Sequence, residues 1–137
     1  SRSMHIAIDI DGTITDHPEF YRRLMHSWCE ANYVVHILTA RRERERPETL
    51  DLLGSLGFGQ VLYEHDIKMH MYPHEYPWPW AEEEGVRIKQ QHAAWKAEMC
   101  VKEGISVLYD DCPLNIAACV AVGVYAIHVP RMKGVVA

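Results

Sequence analysis

His5-Ile6-Ala7-Ile8-Asp9-Ile10-Asp11-Gly12-Thr13-Ile14-Thr15 is a short apolar run that gives way to carboxylates and a glycine. A run of this length bounded by a turn signal suits a strand buried on both faces, as the strands of a parallel sheet are. The pattern predicts a first strand over 5–10 that ends on acidic residues.

A parallel sheet needs crossover helices, and downstream of this stretch helix and strand signals alternate. Residues 18–32 place Tyr21, Leu24, Trp28 and Ala31 at three- and four-residue intervals, with Asp16 or His17 as cap before Pro18. Residues 33–39 are apolar and β-branched apart from His36, so a second strand is expected to end at Thr39. A helix over 47–56 opens with Pro47, shares Leu50, Leu53 and Leu56 on one face and stops at Gly57. A third strand is expected over 60–64. Residues 82–102 predict a long helix with Ile88, His92, Trp95 and Met99 along one stripe and Glu82, Glu83 and Glu84 at its positive end. A strand over 106–110, a helix over 113–122 and a strand over 124–129 complete an α/β chain with five strands.

Residues 65–81 break this rhythm. Pro73, Pro77 and Pro79 interleave with Tyr72, Tyr76, Trp78 and Trp80, which excludes a regular helix or a central strand and predicts a loop. Trp78 and Trp80 suit stacking on a base or sugar, a lid over a site, or a self-association surface across 72–80 that would make a homo-oligomer. His65, His70 and His74 have spacings of neither a helical metal pair nor a zinc finger and read as part of a solvated loop.

The 137 residues, 48% hydrophobic and 24% charged, suffice for one domain with its own core. Residues 1–3, ahead of Met4, read as an expression remnant, so the domain is expected to span 4–137. Net charge is −5, and without Arg2 the balance is 13 Lys+Arg minus 19 Asp+Glu, or −6. That argues against nucleic-acid binding driven by overall charge. Neither a signal-peptide pattern nor an apolar run near ~18 residues is present, so no membrane partner and a cytoplasmic location are expected. Cys29, Cys100, Cys112 and Cys119 lack C-x-x-C spacing and read as reduced thiols.

Three predicted strands end in polar residues: Asp9 and Asp11, then Thr39, then Asp110 and Asp111. Ligands of open α/β sheets bind at the carboxyl ends of the strands, so these residues are expected to converge. Four carboxylates in one place raise one another's pKa or are held ionised by a cation. An all-oxygen set suits Mg²⁺, whose open coordination positions are commonly completed by phosphate.

At this point the sequence resembles a known family. Asp9-Ile10-Asp11-Gly12-Thr13-Ile14-Thr15 is similar to the first motif, D-x-D-G-T-[LIV]-T, of the haloacid dehalogenase-like (HAD) phosphohydrolases. Thr39 resembles the hydroxyl residue of the second motif, Lys96 the lysine of the third, and Asp110-Asp111 the acidic pair of the fourth. The resemblance implies a three-layer Rossmann-like fold with a mainly parallel sheet, strand order 5-4-1-2-3, helices on both faces, and hydrolysis of a phosphomonoester through an aspartyl phosphate. It implies Asp9 as nucleophile and Asp11 as general acid and base. Thr39 and Lys96 would hold the transferring oxygens, and Gly12, Thr13 and Ala40 would line the phosphate. Mg²⁺ would rest on Asp9, the Asp11 carbonyl, Asp110 and Asp111, with Asp111 favoured for direct ligation. Lys89, earlier on the same predicted helix, is the rival to Lys96.

Arg41, Arg42, Arg44 and Arg46 alternate with Glu43 and Glu45, a pattern usual for a solvated face. Arg41 and Arg42 follow a phosphate-binding strand end, however, and are the candidates to grip further phosphate on the substrate. Only 14–17 separate the first motif from the next helix, which leaves no room there for a cap domain. The chain therefore resembles the capless branch, and the expected partner is a phosphorylated small molecule or macromolecular end, with a nucleotide or nucleic-acid end favoured. The competing reading is a non-catalytic or receiver-like module that binds phosphate and Mg²⁺.

Overall fold

The computed structural model describes residues 3–76 and 81–131. Its ten main elements are β1 (His5–Ile8), α1 (Pro18–Glu30), β2 (Val34–Arg42), α2 (Arg46–Ser55), α3 (Gly59–Glu64), β3 (Lys68–Tyr72), α4 (Glu82–Glu103), β4 (Val107–Asp110), α5 (Pro113–Ala121) and β5 (Tyr125–His128). The strands form one sheet in the order β3-β2-β1-β4-β5, and every pairing is parallel. The fold is a three-layer, Rossmann-like α/β sandwich with the strand order expected above.

Alternation along the strands divides the core in two. Ile6 and Ile8 of β1, with Val35 and Ile37 of β2, pack under Tyr21, Met25 and Trp28 of α1 and under Leu53, Phe58 and Val61. Ala7, Leu38 and Leu108 face the other way, against Ala97 and Cys100 of α4 and Cys119 of α5. The small Ala7 lets α4 and α5 approach the sheet closely. All four cysteines are free thiols. None of the described helices is long and apolar enough to cross a membrane.

Two expectations require correction. The expected strand over 60–64 is the helix α3, in which Val61 is buried and Tyr63 is 91% exposed. A three-residue apolar run, Val61 to Tyr63, does not distinguish the two states by periodicity, and Phe58, fully buried ahead of it, anchors a helical turn through Leu62 N–H donating to the Phe58 carbonyl at 3.0 Å. The true third strand lies inside the stretch assigned to a loop. Lys68–Tyr72 pairs only with β2, at the sheet edge, and ends immediately before Pro73. The prolines thus bar a central strand yet leave room for an edge one. Further, β2 runs past Thr39 to Arg42, with its register on β3 shifting between those residues. The readings placed on Pro77, Trp78, Pro79 and Trp80 lie outside the described residues.

Candidate active site at the carboxyl end of the sheet

Register brings the first acids together. Ile8 of β1 pairs with Tyr109 of β4, and the Asp9 N–H donates to the Tyr109 carbonyl at 2.9 Å, so Asp9 and Asp110 leave neighbouring strands side by side. Both continue the alternation of Ala7 and Leu108 and therefore face α4. From that helix Lys96, 1% exposed, donates to Asp9 Oδ1 at 2.8 Å and to Asp110 Oδ2 at 2.7 Å. Lys96, and not Lys89, is the lysine that reaches the acids, although Lys89 lines the same cavity.

Asp110 has no oxygen to spare. Its Oδ1 accepts from the Cys112 N–H at 2.9 Å, and Asn115 Nδ2 reaches both oxygens at 3.2 and 3.1 Å. Asp111 is different: its Oδ2 accepts from Arg131 Nη1 at 3.0 Å, and Arg131 also reaches Asp16 at 3.2 Å. One oxygen each of Asp9, Asp110 and Asp111 lies within 4.8 Å of the others.

The turn after β1 shapes the floor. Gly12 has φ +81°, in the left-handed region, and a Cβ there would lie 2.6 Å from Asp111 Cγ and 2.8 Å from Arg131 Cδ. Only glycine lets the backbone pass under Asp111. The Gly12 N–H donates to Thr15 Oγ1 at 2.9 Å, and Thr13 Oγ1 donates to Asp9 Oδ2 at 3.4 Å.

Burial pushes the Asp9 carboxyl well above the ordinary carboxylate range; Lys96 pulls it back, and Asp110 and Asp111 push it up again. Burial alone would lower the Lys96 pKa, but Asp9 and Asp110 outweigh it and raise it, holding the ammonium charged. One lysine thus serves two buried acids.

Other expected residues stand apart from this cluster. Asp11 turns outward and receives a two-pronged ion pair from Arg41, Nε to Oδ2 and Nη2 to Oδ1, both at 2.8 Å. That hydrogen bond raises the Arg41 pKa further. Thr39 is fully buried and its Oγ1 accepts from the Arg41 N–H at 3.1 Å, whereas its neighbour Ala40 lines the cavity. Arg42 is committed to Glu45 at 3.3 Å and Glu75 at 3.1 Å and stacks over Tyr76 at 4.9 Å. Both arginines assigned to the substrate are therefore paired to acids.

The cavity above the cluster measures about 450 Å³ and is bounded by Asp9, Asp11, Asp111, Lys96 and Asn115. His92 also faces it, one turn before Lys96, and was read from sequence only as part of a packing stripe. It is 8% exposed, its Nε2 has no hydrogen-bond partner, and burial with the nearby Lys96 charge pushes its pKa down to about 4. A neutral imidazole with an unused polar atom thus borders the acids. Its spacing of four from Lys96 was the available signal, since i and i+4 share a helix face.

A scan against protein-family models finds no match, and neither does a comparison with curated protein sequences. Among solved structures, the chain is similar to an uncharacterized protein from Corynebacterium glutamicum at a TM-score of 0.57 and 14% identity, covering 96% of this chain and 88% of the other. At that identity the likeness shows the fold alone.

Proposed function

We propose that this chain is a Mg²⁺-dependent phosphomonoesterase that works through an aspartyl phosphate on Asp9. The observation that carries the reading is the gathering of Asp9, Asp110 and Asp111 at the mouth of the parallel sheet, the first two buried and sharing one lysine. The donor set suits a hard divalent ion, being made of carboxylate oxygens alone. Asp9 and Asp111 would hold Mg²⁺, since the oxygens of Asp110 are already taken. Bound there, the ion would neutralise charge on the phosphoryl oxygens.

In the first step an Asp9 oxygen bonds to phosphorus while the phosphorus–alkoxide bond breaks, and protonated Asp11 gives its proton to the leaving oxygen. Asp11 must first leave Arg41 to do so. In the second step water attacks phosphorus, Asp11 takes its proton, and phosphate departs from a regenerated Asp9. Lys96 steadies the transferring oxygens, and Asp110 and Asn115 hold Lys96 in place. The neutral His92 donates or accepts at the substrate's edge of the cavity. The open site suits the phosphorylated end of a larger substrate, such as a nucleotide or a nucleic-acid end.

Phosphate release from p-nitrophenyl phosphate and a phosphoester panel, with and without Mg²⁺, tests the proposal. Mg²⁺-dependent turnover that Asp9→Asn abolishes is the expected result. One observation favours a second reading, a non-catalytic or receiver-like module: both oxygens of the proposed acid, Asp11, accept from Arg41 at 2.8 Å. Binding of Mg²⁺ and phosphate without turnover on any ester would decide for that module.

A further inference from the structure

A second group of ligating side chains lies away from the carboxylate trio, between β2, β3 and the last turn of α4. His36 of β2 and His70 of β3 stand two register steps apart, since His36 pairs with Lys68 and Leu38 with His70, so both face α4. His36 Nδ1 is 2.9 Å from His70 Nε2, and His70 Nε2 is 3.7 Å from Glu103 Oε1. One ligand atom from each of the three lies within 4.8 Å of the others. The expectation that His70 belongs to a solvated loop is thereby corrected: it is a half-buried strand residue, and neither His65 nor His74 accompanies it.

We propose that His36, His70 and Glu103 form a transition-metal site, with Zn²⁺ as the ion best matched to it. Two imidazoles and one carboxylate are a ligand set that tetrahedral zinc accepts with water in the fourth position. With bonds of ~2.0–2.1 Å, adjacent ligand atoms of such an ion lie roughly 3.3 Å apart. The observed 2.9 and 3.7 Å straddle that value, so small side-chain rotations open one gap and close the other.

The surroundings provide what a ligating histidine needs. The second ring nitrogen of His36, Nε2, is 2.9 Å from His5 Nδ1, which can accept its N–H and so leave Nδ1 free to ligate. His36 is fully buried on β2 and its ring stacks on that of His70, with centroids 5.1 Å apart, so only small rotations separate the pair from a ligating arrangement. The side chains of His70 and Glu103 are 16% and 25% exposed, which leaves the fourth position open to water. The carboxyl end of α4 adds its negative partial charge. Lys68 and Lys102, both close enough to act on His70, oppose the ion and limit its affinity.

The experiment is titration of EDTA-stripped protein with Zn²⁺ by calorimetry and with Co²⁺ by visible absorption. Saturable Zn²⁺ binding is expected that survives Asp9→Asn, together with the intense visible bands of four-coordinate Co²⁺. His70→Ala should abolish both signals. Glu103→Gln, a near-isosteric change at the partly exposed end of α4, should weaken binding, and His5→Ala should cost about tenfold through the lost ring partner. Absence of saturable binding, loss of it in Asp9→Asn, or affinity unchanged in both His70→Ala and Glu103→Gln overturns the proposal. Because the phosphatase assay depends on Asp9 and this titration does not, the two readings fail separately.

Discussion

Replacing Lys96 by methionine tests the electrostatic core of the site without a large change of volume. The ammonium sits 2.8 Å from Asp9 and 2.7 Å from Asp110, and all three side chains are buried. Removing one partner of a buried ion pair costs about 3–5 kcal/mol, because the charge left behind stays desolvated. Methionine fills nearly the same space, so packing adds little. Without the ammonium that pulls it down, the folded Asp9 pKa rises still further above the unfolded value of ~3.9, and the carboxyl escapes by taking up a proton. A raised folded pKa gives stability that is fully present below the unfolded value and lost as pH rises through the folded one, at up to about 1.4 kcal/mol per pH unit. Urea unfolding at a series of pH values should therefore show Lys96→Met about 3–5 kcal/mol less stable than wild type at pH ~7, with the gap narrowing toward pH ~4. A gap under about 1 kcal/mol at neutral pH, or one that does not narrow in acid, would refute the shared-lysine reasoning.

Other expectations follow from the same geometry. Gly12→Ala forces a side chain into the left-handed region and against Asp111 and Arg131, so a loss of at least about 2 kcal/mol in urea unfolding is expected. Arg41→Gln breaks a pair whose side chains are 25% and 56% exposed, and should change the same midpoint by no more than about 1 kcal/mol. His92, pushed down to about 4 when folded, takes its proton first in the unfolded chain, near ~6.5. Its contribution is therefore complete above the unfolded value and lost as pH falls from there toward 4; His92→Gln should flatten the acid limb of a stability profile across that window. If Mg²⁺ binds the trio, adding it should raise the melting temperature of wild type but not of Asp111→Asn.

The acids at the ends of β1 and β4 were legible because nothing apolar explains carboxylates at the close of a buried strand. Lys96 was harder. The helical stripe drawn through Ile88, His92, Trp95 and Met99 follows the buried face of α4 at Ile88 and His92 but leaves it by one residue at Trp95 and Met99, where the buried positions are Lys96, Ala97 and Cys100. A lysine reads as solvent-facing unless its counter-charges, supplied from distant strands, are known. The exchange of strand for helix at 59–64 has a local cause, a run too short to show its period. The histidine group has a global one: His5, His36 and His70 are separated by 31 and 34 residues and meet only once the register of three adjacent strands is known. Likewise, the pairing of Arg41 with Asp11 joins residues 30 apart and could not be read from the mixed-charge run.

Asp9 and the lysine that neutralises it are 87 positions apart. At ~5–20 residues per second, a nascent chain presents the carboxylate roughly 4–17 s before its ammonium has been synthesised. Through that interval Asp9 stays hydrated, and because β4 at Val107–Asp110 follows Lys96 in the chain, the β1–β4 seam closes around the carboxylate only once its counter-charge has been made.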